Sequence, residues 1–316
     1  MALGTTAQVD AASPVEGGRQ AARRGRGRGN ACRDWPQLQR QRREEFEAWG
    51  FDVTVCIAAI TGSGEHIVTA SDRMISYNGV IPAGDDAALK SRTIAKAWGL
   101  MFAGEVDLFL PILNSIGNNI DPASEYDLQS VQNAVCGAYS KIFDEYFTSK
   151  YLSRYRIDGI ATFRTLGLTQ FGQERFSQIC DQIDSFDLGI EVLGYGFDTN
   201  GRAHIFQVSN PGQIVNHDLL GYGVVGSGYW MATAALMRKK LPYNLNAMAY
   251  RLLDAKFSAE TAPGVGRSTT LFSHDRNGKT KSIGYGSLDK IKAIWEATLK
   301  TPEPDEALQM ISALLG

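Results

Sequence analysis

The chain has 316 residues, 44% of them hydrophobic and 21% charged, with a formal net charge of −2. That length supports a sizeable buried core, in one large domain or two small ones. Low net charge removes the electrostatic case for nucleic-acid or polybasic membrane binding by the whole chain, and no apolar run approaches the roughly 20 residues of a membrane-spanning helix.

The charge is unevenly spread. Residues 1–52 hold nine arginines against seven acidic residues, a net of +2, which leaves −4 for the rest. The run Arg23-Arg24-Gly25-Arg26-Gly27-Arg28 sits in a stretch without apolar periodicity, so residues 1–53 read as a disordered leader with a short charged helix over 37–49. The leader lacks the apolar core of a secretory signal.

At residue 54 the character changes. Residues 54–60 and 66–71 are β-rich and flank a turn, which predicts a hairpin; 93–97 and 99–103 form a second one. Helices are expected over 108–117, 124–149 and 163–183, then strands over 188–195, 204–208 and 223–225. Helices over 229–240 and 244–258 follow, then strands 269–273 and 281–285 and a helix over 288–299. Helices segregated from strands in this order argue an α+β fold rather than strict βαβ alternation. The domain is expected to span 54–300, with a tail over 301–316.

Four cysteines lie far apart with no CxxC pair, and four histidines include no HExxH. No metal site or disulfide framework is expected, and a reducing, cytoplasmic compartment fits. Gly221-Tyr222-Gly223-Val224-Val225-Gly226 matches GxGxxG, but no βαβ unit surrounds it, and strand-and-turn glycine explains it better. Ser63 lies in a hairpin turn rather than a nucleophile elbow.

An ordered set of residues carries more. Thr54-Val55-Cys56 opens the first strand, Ala70-Ser71-Asp72 closes the second, and Lys90 precedes the third. Ala103-Gly104 ends the fourth, and Gly226-Ser227-Gly228 stands before an Ala-rich helix. This order resembles the proteasome β-subunit family of N-terminal nucleophile hydrolases, and within it the bacterial proteasome-related branch that includes the Anbu proteins. The likeness spans roughly residues 54–290. It implies a four-layer αββα sandwich, a peptide or other amide substrate, no organic cofactor, and assembly into homo-oligomeric rings or stacks; composition and charge already argue against membrane or nucleic-acid partners.

The chemistry gives these residue types a reason. A threonine hydroxyl is a weak nucleophile until a base takes its proton, and a free α-amino group with a reference pKa of about 7.7–8.0 can do so. The resemblance makes Thr54 nucleophile and base, Asp72 and Lys90 its electrostatic partners, Gly104 the oxyanion donor and Ser227 a polar neighbour of the amine. Ile75, Phe102 and Val106 are carried over as an apolar substrate pocket.

Three departures keep other readings open. The Thr54–Asp72 spacing is two residues longer than usual for the family, which a longer turn over 61–65 absorbs without changing strand faces. With no gap, Cys56 takes the nucleophile position, as in a cysteine-type amidase. Glu260 is the nearest candidate for the family's late acidic residue, read here as an exposed helix-end glutamate, and Pro263 replaces a serine. Finally, Val53 precedes Thr54 where self-cleaving members have glycine. Residues 1–53 are then either a propeptide or an upstream stretch from a misassigned start, since a GTG codon at Val53 can initiate translation. A chain that keeps them would be a non-catalytic scaffold subunit, and RNA binding through the Arg/Gly leader is a remoter alternative.

Overall fold

The computed structural model describes residues 54–73, 76–77, 81–82, 90–262, 265–299 and 309–312. The leader over 1–53, its helix over 37–49, pocket residue Ile75 and most of the tail over 301–316 lie outside the described residues. No helix among the described residues is long and apolar enough to cross a membrane.

The first hairpin forms as expected. Strand β1 (Cys56–Ile60) pairs antiparallel with β2 (His66–Asp72), Cys56 opposite Ser71 and Ile60 opposite Ile67. The second hairpin is β3 (Ser91–Ala95) and β4 (Trp98–Gly104). Helices α1 (Phe109–Gly117), α2 (Leu128–Phe147) and α3 (Ile160–Ser185) follow. α2 starts four residues later than its apolar pattern, because the Asp127 side chain accepts from the Ser130 N–H and caps the helix there.

The second half begins with β5 (Ile190–Phe197), β6 (Ala203–Ser209), β7 (Gln213–Asn216) and β8 (Tyr222–Val225). Strand β7 was not expected; it is a short, largely exposed edge segment with no apolar alternation. Next come α4 (Tyr229–Met237) and α5 (Leu245–Ala259), then β9 (Thr269–Asp275), β10 (Thr280–Ser282) and α6 (Tyr285–Thr298). Here two boundaries are corrected. Tyr285 opens α6 instead of closing a strand, and α4 stops at Met237, three residues short of the expected end at 240.

Two five-stranded sheets result, both antiparallel at every pairing: β8-β1-β2-β9-β10 and β3-β4-β5-β6-β7. The alternation of each strand divides its side chains between two cores. From the first sheet, Val55, Ile57, Ala59, Val68 and Ala70 pack with Leu236, Met248 and Leu252 of α4 and α5. On the other face, Cys56, Ala58, Ile67 and Val225 meet Met101, Ala103, Leu193 and Ile205 of the second sheet. The far side of that second sheet supplies Trp98, Leu100, Phe102 and Phe206 to a cluster with Ile112, Val135 and Tyr139 of α1 and α2. GxGxxG is resolved as expected, with its Tyr222–Val225 core in an antiparallel strand.

Candidate active site

The site forms where β1 begins. The β1–β2 register sets Asp72 across from Val55, and the β1–β8 register, with Cys56 opposite Val225, carries Ser227 across from Thr54. Strand pairing thus gathers three polar side chains from distant parts of the chain.

Each then finds partners. The Thr54 hydroxyl donates to Asp72 Oδ1 at 2.6 Å, and the Val55 N–H donates to the same oxygen at 3.0 Å. Lys90 Nζ bonds both Asp72 Oδ1, at 2.9 Å, and Thr54 Oγ1. The Thr54 N–H donates to Ser227 Oγ at 3.1 Å, while Ser227 Oγ donates back to the Thr54 carbonyl at 3.2 Å. Thr54 and Asp72 are buried, so a carboxylate here needs its partners, and this one also receives the Gly266 N–H on Oδ2 at 3.3 Å.

Thr54, Asp72, Lys90 and Ser227 therefore meet. β4 lies alongside them, because the Phe102 N–H donates to the Lys90 carbonyl at 3.1 Å and the Cys56 thiol donates to the Phe102 carbonyl at 3.3 Å. Gly104 ends β4 with φ of 108°, and a Cβ there would fall 1.9 Å from the Gly189 carbonyl oxygen, so only glycine fits. Of the pocket residues, Phe102 is buried edge-on against Phe109, with ring centroids 3.9 Å apart, and Val106 is half-buried before α1.

Cys56 makes no hydrogen bond to Asp72, Lys90 or Ser227 among those described. It is fully buried between the sheets, and burial pushes its thiol up to about 12. Glu260 is corrected. It is not an exposed helix-end side chain but a nearly buried one, held by Lys256 at 2.5 Å and by Lys292, and it makes no bond to Thr54 or Ser227 among those described.

Sequence reasoning missed Glu191. Its Oε2 accepts the Gly226 N–H at 2.8 Å and its Oε1 accepts from Gln207 at 2.9 Å, which anchors the turn carrying Ser227. Burial raises its pKa. A lone acidic residue inside the apolar run Ile190-Glu191-Val192-Leu193 was the available signal. Among the described residues, no three His, Cys, Asp or Glu side chains group to hold a metal ion.

No family model matches the chain, and no curated protein matches it in sequence. Solved structures do. An Anbu (Gly-1) mutant from Hyphomicrobium sp. strain MC1 superposes with a TM-score of 0.54 at 15% sequence identity. The chain shares its fold with Anbu. The match takes in 99% of the Anbu chain and 79% of this one, so nearly all of Anbu is represented here and residues remain beyond it. Anbu is also the branch that the ordered motifs from Thr54 to Gly228 resemble.

Proposed function

We propose that the protein is a threonine-type N-terminal nucleophile hydrolase that cleaves peptide or other amide bonds through an ester on Thr54. The observation that carries this is the Thr54 hydroxyl held between Asp72 and Lys90. A hydroxyl that donates to a carboxylate and accepts from an ammonium is oriented and polarised before substrate arrives.

In this reading a chain that carries the leader first loses it by hydrolysis of the Val53–Thr54 bond, water going to the Val53 carboxylate and the new amine, which frees the Thr54 amine. That amine takes the hydroxyl proton while Oγ1 attacks the substrate carbonyl. Lys90 stabilises the charge that develops on Oγ1, and the backbone N–H of Gly104 receives the oxyanion. Ser227, already bonded to the Thr54 nitrogen, orients the amine. The amine passes its proton to the leaving nitrogen, and water then hydrolyses the ester. Phe102 and Val106, with Ile75, would line an apolar substrate pocket.

The same reading takes residues 54–300 as the working domain, layered helix–sheet–sheet–helix. Three clusters support the layering, one between the sheets and one beneath each helical face. It also takes the working protein to be a cytoplasmic homo-oligomer, ring-shaped or stacked.

The test is covalent. A β-lactone opened by Thr54 Oγ1 loses its ring C–O bond, returns the proton to the freed oxygen, and so adds its whole mass to the protein. Intact-mass analysis should show one such addition on a chain beginning at Thr54, and none on Thr54→Ala. A native chain that retains Val53 and stays unlabelled defeats the proposal in favour of a non-catalytic scaffold subunit.

A further inference from the structure

Asp72 has a second face that the proposed chemistry does not use. Along β2, Val68 and Ala70 point into the cluster shared with α4 and α5, and alternation places Asp72 on that same side. There its Oδ2 meets the Gly266 N–H at 3.3 Å.

What fixes Gly266 is a buried lysine. Lys256, in the last turn of α5, has no exposed surface, which is rare for a lysine. Its ammonium satisfies all three donors: Glu260 Oε1 at 2.5 Å, the Gly266 carbonyl at 2.8 Å and the Arg267 carbonyl at 3.1 Å. Glu260 is in turn bonded by Lys292 of α6. Burial pulls the Lys256 pKa down, and the charges of Glu260 and Asp72 oppose that pull.

From this geometry we propose that Lys256 is a positioning residue of the Thr54 site. It pins the 265–267 turn by its carbonyls, so that the Gly266 N–H is held against Asp72 and the carboxylate keeps its other oxygen on Thr54 and Lys90. Glu260 and Lys292 complete the clamp from behind. This rests on the reading of Thr54 as the nucleophile. The site thus has two lysines in different roles: Lys90 touches the reacting oxygen, and Lys256 acts only through Gly266 and Asp72. An apolar residue at position 256 would pack at least as well against Leu252, so packing alone does not account for an ammonium there.

The experiment compares Lys256→Met with Leu252→Ala, one turn earlier on the same helix and equally buried. The Leu252 change unsettles α5 without touching the turn. Two readouts are taken on folded protein: amide exchange at Gly266, and the maximal rate and half-saturation of β-lactone labelling. Lys256→Met should speed Gly266 exchange at least tenfold and lower the maximal labelling rate at least tenfold, with half-saturation unchanged. Leu252→Ala should move neither by more than about twofold beyond its effect on global stability. Equal exchange in wild type and Lys256→Met, or equal losses in the two variants, overturns the proposal. If Lys256→Met does not fold, Lys256→Gln, which keeps donors to one carbonyl, should show the same changes at smaller size. Unlabelled wild type with a protected Gly266 amide would remove the Thr54 chemistry and leave the clamp standing, so the two failures are distinct.

Discussion

Among single residues, the two rival nucleophiles sit in different surroundings. Thr54 is bonded by a carboxylate and an ammonium, whereas Cys56 is sealed between the sheets with its thiol pushed up to about 12. Iodoacetamide at pH 8 should therefore modify the half-buried Cys136 and Cys180 well ahead of Cys56, as read by peptide mapping. Fast alkylation of Cys56 in the native protein would restore the cysteine-type reading. Lys90→Ala removes the ammonium paired with the buried Asp72; it should cost at least about 2 kcal/mol in denaturant unfolding, and it should abolish labelling of Thr54. Thr54→Ala removes one donor to the buried carboxylate but no charge, and should cost about 1.5–3 kcal/mol. Thr54, Asp72, Lys90 and Ser227 were legible in the sequence as an ordered set. Glu260's surroundings were not, since its partner Lys292 lies on a different helix, 32 residues away.

At the level of elements, the turn after β8 positions the chemistry, and a pair elsewhere in the second sheet makes a separate testable demand. The turn after β8 carries Gly226 at φ 95°, where a Cβ would fall 2.4 Å from the Thr54 carbonyl oxygen. Gly226→Ala should cost about 1–3 kcal/mol of strain and, by moving Ser227 off the Thr54 nitrogen, lower labelling by more than its loss of stability explains. That pair ties the start of β6 to the turn before β8: His204 Nδ1 bonds Asp218 Oδ2 at 2.6 Å. That bond raises the His204 pKa. Burial pushes the Asp218 carboxyl up, but its bonds with His204 and the Ile205 N–H outweigh this and hold it low. A raised histidine contributes stability that is complete below its unfolded pKa of about 6.5 and is lost as pH rises through the folded value. A lowered carboxylate loses its contribution only as pH falls below the ordinary range. The melting-temperature penalty of Asp218→Asn should thus be largest near pH 5–6 and shrink above pH 7. A penalty that grows with pH would contradict the pairing.

Element boundaries show why sequence legibility was uneven. Asn244 caps α5 by accepting from the Ala247 N–H, and the helix starts where that signal placed it. Asp127 does the same for α2, but apolar periodicity continued past it and masked the cap. Edge strand β7 offered no alternation to read.

For the whole molecule, light scattering on the native protein should give a mass several times that of the protomer. A monomer at micromolar concentration would remove the ring from the proposal. Several large apolar side chains are exposed on the protomer, among them Leu219 at 99% and Trp230 at 77%, which is the kind of surface that assembly covers. Within the chain, the amino-acid order by itself determined the α+β class and the succession of hairpins and helices. Period-2 and helical patterns, caps and turn glycines are local, and each can be read over a few residues. Which groups meet was decided only by the tertiary structure. The Thr54 nitrogen reaches Ser227 across 173 residues of chain, and Asp72 reaches Gly266 across 194. No local pattern encodes such distances; pairing β1 with β8 and β2 with β9 does, because register carries every side chain beyond the strand end to a defined partner.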